Sequence, residues 1–200
     1  MRSRGSATAG FARFRSPLNF NVMRLEDTQI EAQVISPLRL TLGQSISGVH
    51  YGLFPHELES IRSDGQGPLE LDAEVRLSFT EGIQLFFSWS QAPGWSDINS
   101  LAVSTSSFLK PGAVTYVDAH RFECWTNCMG SQLISIDVLG WQDTPAIARL
   151  RFERSSLLVG VGYAQGFRDA DSIIVRPDER MWLHTGSEAD LLWSSLSADA

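Results

Sequence analysis

Residues 73–89, AEVRLSFTEGIQLFFSW, come back in altered form at residues 146–163 as AIARLRFERSSLLVGVGY. At an offset of 73, Ala73 meets Ala146, Arg76 meets Arg149, Leu77 meets Leu150, Phe79 meets Phe152 and Leu85 meets Leu158. In the first copy Val75, Leu77 and Phe79 alternate with Arg76 and Ser78, and Ile83, Leu85, Phe87 and Trp89 alternate with Gln84, Phe86 and Ser88. Period-two alternation sends one face of each arm into a core, so the stretch predicts a β-hairpin. Thr80-Glu81-Gly82 supplies the turn, its glycine taking the positive φ of a bulged connection. The second copy keeps both arms but carries Glu153-Arg154-Ser155-Ser156, without glycine, between them.

The likeness extends outward on both sides, which separates a duplicated unit from two hairpins of similar composition. Upstream, Leu42-Gly43-Gln44-Ser45-Ile46 parallels Met129-Gly130-Ser131-Gln132-Leu133. Downstream, Asp97-Ile98-Asn99-Ser100-Leu101 parallels Asp169-Ala170-Asp171-Ser172-Ile173 at an offset of 72. Each unit therefore reads as strand, loop, hairpin, loop, strand, and repeats of this size indicate pseudo-symmetric supersecondary units. Ser36-Pro37 resembles a helix start closed by Gly43, and Asp118 resembles a cap on a helical segment through Phe122, Trp125 and Met129. The first unit alone carries an insertion of about fifteen residues within 51–72, and loops of that length in compact domains are functional or disordered.

Two such units cannot each bury a sheet face alone, so they should pack on one another. The predicted fold is mainly β: two pseudo-repeated four-stranded units packed as a β-sandwich or partly open barrel, with short helices and a C-terminal helix. Pro177-Asp178-Glu179 is expected to end the last strand, and the capped segment from Ser187 onward to form a helix over a sheet edge. The domain plan is an arm at residues 1–23 and one domain at 24–200. That domain holds units at about 36–104 and 123–177, then a segment at 178–200.

Composition fits this plan: 43% apolar and 20% charged residues over 200 suffice for one core. No apolar run is long enough for a membrane span, and the first thirty residues lack the apolar block of a secretory signal, which points to the cytoplasm. The formal charge of −7 includes four arginines and no acid in residues 1–23, so residues 24–200 carry −11. That acidity argues against nucleic acid and for basic partners. The arm is read as disordered, or as an extension ahead of a start at Met23, over an organelle transit peptide of similar composition. The excess of arginine over a single lysine, Lys110, suits a GC-rich bacterial genome. Cys124 and Cys128 have a three-residue gap and no second pair, so two buried thiols are expected over zinc ligands or a redox pair.

Catalytic motifs are missing. His56-Glu57-Leu58-Glu59-Ser60 starts like a zinc-protease helix but has serine where the second histidine must stand. His50, His120 and His184 sit on scattered elements that need not converge. Gly160-Val161-Gly162 lies within a strand and is read as a bulge or close backbone approach rather than a phosphate loop. No catalytic residue, metal ligand or cofactor is therefore assigned. The matched acidic loops, Asp97 with Asn99 and Asp169 with Asp171, offer hard oxygen donors but suit turn formation as well. Trp95 and Trp141 follow strands and could present rings to a ligand, and Phe54 and His56 open the insertion. These eight residues are the candidate binding set. The expected function is a non-enzymatic bacterial protein that binds a basic protein, as an immunity or antitoxin protein would. The alternative is a carbohydrate-binding β-sandwich, and third comes an enzyme with dispersed carboxylates.

Overall fold

The computed structural model describes residues 21–22, 31–58, 70–91, 99–141, 144–165 and 174–198. They form two antiparallel sheets packed face to face and not closed into a barrel. The first sheet runs β6 (Asn99–Ser104), β5 (Gln84–Gln91), β4 (Glu74–Phe79), β2 (Ile46–Leu53), β7 (Thr115–Asp118). The second runs β1 (Asn21–Val22), β8 (Leu133–Trp141), β9 (Thr144–Phe152), β10 (Ser156–Gln165), β11 (Ile174–Thr185), β3 (Glu70–Leu71). Each contains the same four-strand meander, β2-β4-β5-β6 in one and β8-β9-β10-β11 in the other. The edge beside the first meander strand is filled by exchange: β7 joins β2, and β1 joins β8. Asn21 and Val22, inside the segment read as an arm, thus belong to a strand. No helix among the described residues is long and apolar enough to cross a membrane.

Hydrogen bonds at the junction repeat across the two units. The Gly43 N–H donates to Leu133 O and the Gly130 N–H to Ile46 O, both at 2.9 Å, the same contact at an offset of 87. Both glycines take positive φ, +80° and +67°, the conformation that most L-residues avoid. Thr80 N–H bonds Ser45 O and Glu153 N–H bonds Gln132 O, each at 3.0 Å. The first pairing of each meander slips at the same place, between Ile46 and Gly48 and between Leu133 and Ser135. Such bulges bend a strand and increase its twist, which turns each sheet over the other. The lead-ins correspond too. Short helix α1 (Ser36–Arg39), entered from a π-turn at Glu31–Ile35, matches the 3₁₀ turn Glu123–Trp125. Ser36 therefore lies inside helical backbone instead of capping it. Asp118 ends β7, with the expected helix reduced to that single turn.

The hairpins differ by one residue. Phe79 N–H reaches Ile83 O around Thr80-Glu81-Gly82, with Gly82 at φ +83°, whereas Phe152 N–H reaches Ser155 O around two residues. From that point the ladder equates Leu85 with Leu157, since each faces the matched residue Leu77 or Leu150. Leu158 therefore turns to the opposite face, as a one-residue slip requires. A larger correction concerns the last strand. β11 continues through Pro177-Asp178-Glu179 to Thr185, because the register jumps from Tyr163↔Arg176 to Val161↔Met181 and passes over 177–180. Proline's missing N–H costs nothing where the ladder leaves that residue out. Leu101 and Val103 consequently match Met181 and Leu183.

Between the sheets, Val75, Leu77, Phe79, Leu85, Phe87, Leu101 and Val103 meet Leu150, Phe152, Leu157, Val159, Met181 and Leu183 in one buried cluster. Trp125 is fully buried there, its indole N–H donating to the Tyr51 hydroxyl at 2.7 Å. Trp89 is only half-buried and donates to Asp72 O at 2.9 Å. The C-terminal helix, α2 (Gly186–Ala198), covers the outer face of the second sheet instead of an edge. Its Ala189, Leu192, Trp193 and Leu196 pack on Leu139, Ile147, Leu158 and Trp182. Each large side chain so buried contributes about 1.5–3 kcal/mol, and that apolar row explains why the helix lies flat on the sheet.

Candidate functional site

The outward row that α2 covers, Leu139, Ile147, Gly160 and Trp182, corresponds in the first sheet to Gly52, Glu74, Ser88 and Ala102. Three apolar positions have become small or charged. Glu74 is completely buried yet fully engaged: it accepts from Ser107 Oγ at 2.7 Å, from Phe108 N–H at 3.1 Å and from the Tyr116 hydroxyl. These donors come from the 105–118 connection, which folds back over the sheet. Gly52 lets Tyr116 lie across it, since a Cβ there would meet the Tyr116 ring at 3.3 Å and the Glu74 side chain at 3.1 Å. Burial, with Glu74 as acceptor, pushes the Tyr116 phenol above its usual range, which suits it as the hydrogen-bond donor to that carboxylate.

The adjacent row reads Asp118, His50, Arg76, Phe86 and Ser104 across five strands. Arg76 stacks on Tyr116 with 4.5 Å between guanidinium and ring centroid. The ring of His120 and its backbone N–H both engage the Asp118 carboxylate, the latter at 3.1 Å. Burial pushes that carboxyl up, but the His120 hydrogen bonds win and hold it below the ordinary range. Burial first, then the Arg76 charge, hold the His50 imidazole below its ordinary value. His50 and His120, on elements that need not have converged, thus flank one carboxylate. In the second sheet the residue matching His50 is Asp137, which accepts from Arg149 Nε at 2.9 Å and Nη2 at 2.6 Å. Arg149 there stacks on Trp193 of α2.

The insertion adjoins the same sheet. Glu57 cinches its base, accepting Phe54 N–H at 2.7 Å and Asp72 N–H at 2.9 Å. Phe54 and His56 stack with centroids 5.9 Å apart, and His56 Nε2 lies 3.2 Å from Asp72 Oδ2. β3 then carries the chain onto β11 of the other sheet. Of the candidate binding residues, Phe54 and His56 are therefore brought together. Trp95, Asp97, Asp169 and Asp171 lie outside the described residues, as do the side chains of Asn99 and Trp141, which stand on strand ends. Glu74, Tyr116, Arg76 and Asp118 were missed in the sequence. The signal for them was the outward position of Glu74 opposite apolar Ile147 in the repeat.

Cys124 and Cys128 are free thiols, the first half-buried and the second buried. Burial pushes both up, Cys128 to about 11. Gly160 is a close-approach position, for a Cβ there would come within 2.1 Å of the Trp182 ring. Among the described residues no group of three or more His, Cys, Asp or Glu side chains could hold a metal ion. Compared with known families, curated proteins and solved structures, the chain matches none.

Proposed function

We propose that the chain is a non-enzymatic binding protein whose first unit docks a basic protein partner, in the manner of an immunity or antitoxin protein. The observation that carries this is the divergence of the two units on one shared plan. In the second unit the outer row is sealed by a helix, and the neighbouring row holds Arg149 between Asp137 and Trp193 of that helix. In the first unit the matching row sets His50 and Arg76 beside Asp118 and His120, with no helix over them among the described residues. Only the first unit carries the insertion, and residues 51–72 hold Glu57, Glu59, Asp64, Glu70 and Asp72 against Arg62, a net −4 of the chain's −7. Charge concentrated in one segment steers association with an oppositely charged surface and is screened by salt.

The test is capture from the native host at low and high ionic strength, with charge reversals in each unit. Glu59→Lys with Asp64→Lys is expected to abolish retention of a basic protein that wild type holds at low salt and releases at high salt. Glu153→Lys, on the second unit's hairpin turn, should leave retention intact. Equal loss from reversals in either unit, or capture indifferent to salt, would overturn the proposal. The carbohydrate-binding alternative rests on Trp95, Trp141 and the acidic loops. Glycan retention lost on Trp95→Ala and Trp141→Ala would favour it.

A further inference from the structure

His184 stands where the second sheet meets its helix. Its side chain is 6% exposed, the ring lies 5.6 Å from that of Trp182, and Nδ1 is 3.6 Å from Glu188 Oε2 one turn into α2. A second tie holds the same helix end: Ser156 Oγ donates to Asp190 Oδ1 at 2.7 Å. The positive end of the helix dipole points toward the imidazole, and apolar Leu157 and Leu158 of β10 run alongside. The charged groups around the ring are Glu188 and Asp190 on α2 and Glu70 on β3, cross-strand from Trp182. Arg149 lies in the same row beyond Leu158, two strand spacings or about 10 Å away. It is itself paired with Asp137. Glu188 is 3.6 Å away, and its side chain is 71% exposed, so solvent screens its attraction.

We propose that His184 is an acid-operated release for α2: protonation of the ring undocks the helix and bares Leu139, Ile147, Leu158 and Trp182. Burial opposes the charged imidazole more than Glu188 favours it, and holds the group below its ordinary 6.5. The docked state therefore binds fewer protons than the undocked one. Docking is at full strength above pH 6.5 and weakens as pH falls through the docked-state value.

Amide exchange of the whole chain between pH 7.5 and 5.0, corrected for intrinsic rates, tests this. Protection of 187–197 should fall severalfold more than that of β4 and β5, because the docked ring binds its proton more weakly than the undocked one. His184→Gln should abolish that excess. Equal loss of protection in α2 and in β4–β5, or an excess that persists in His184→Gln, would overturn the release. Glu188→Gln gives an independent check should His184→Gln fold poorly. Removing the carboxylate takes away the attraction that helps a protonated ring stay docked, so the excess loss of protection at pH 5.0 should grow, and an excess that stays or shrinks refutes the assignment.

Discussion

Gly160 facing Trp182 and Ser88 facing Ala102 occupy the same place in two copies of one meander, yet they serve opposite ends. In the second sheet the pair builds a platform: the glycine gives up its side chain so that an indole can lie over the strand and receive α2. In the first sheet two small residues leave the row low, and a tyrosine and a loop reach over it to a buried carboxylate. The backbone plan tolerates either solution, because outward positions are specified by what covers them and not by the ladder. A duplicated fold can thus keep one copy as scaffold and release the other for recognition.

The largest expected effect comes from forcing the two pairs to be alike. Gly160→Ala places a methyl 2.1 Å from the Trp182 ring, so the indole must shift within a cluster that also holds Leu192 and Trp193. Overpacking of this kind costs about 3 kcal/mol. Ser88→Ala, at the matching site, loses one hydrogen bond to Ala73 O and should cost no more than about 1 kcal/mol. Urea midpoints decide it. Trp182→Ala should remove most of the penalty of Gly160→Ala, appearing as a strong coupling in the double variant. Additive losses would show that the ring is not what the glycine accommodates.

Next comes Glu74, whose counterpart is Ile147. Glu74→Ala strips the acceptor from the Tyr116 hydroxyl, Ser107 Oγ and Phe108 N–H together. Once the loop lifts, water satisfies the last two, so the net loss should be about 2–3 kcal/mol instead of three full penalties. Phe108 should then exchange its amide much faster, while the second sheet is unchanged. An unaltered Phe108 rate would mean that the loop is held by something other than the carboxylate.

Much of this architecture was legible in the residues. The alternation of Val75, Leu77 and Phe79 and of Ala148, Leu150 and Phe152 revealed both hairpins, since buried sheet faces impose period two on any sequence. The exchanged edges were not legible. β1 contributes two residues and β7 four, too few for periodicity, and their partners lie a whole unit away. That gap also hid the polar rows, because Asp118 meets His50, and Tyr116 meets Glu74, only once β7 has crossed to β2. The end of β11 was misjudged for a related reason. A proline marks a missing donor, but whether the ladder needs that donor depends on the register of β10.

The smallest expected effect probes how far the correspondence reaches into the lead-in turns. Thr41 and Cys128 are matched at an offset of 87 and both fully buried. The Thr41 hydroxyl donates to Leu38 O at 2.7 Å, and the equivalent acceptor for residue 128 is Trp125 O. Cys128 instead directs its thiol to Ser155 Oγ at 3.5 Å. Cys128→Thr should therefore be tolerated within about 1 kcal/mol if the new hydroxyl finds the Trp125 carbonyl. That carbonyl already receives the N–H groups of Cys128 and Met129, each at 3.0 Å, and a third donor must share it. A loss beyond about 2 kcal/mol, the penalty of a buried hydroxyl without a partner, would show that the turns agree in trace and not in hydrogen-bonding capacity. The thermal midpoint of Cys128→Thr against that of Cys128→Ala, which adds no donor, separates the two outcomes.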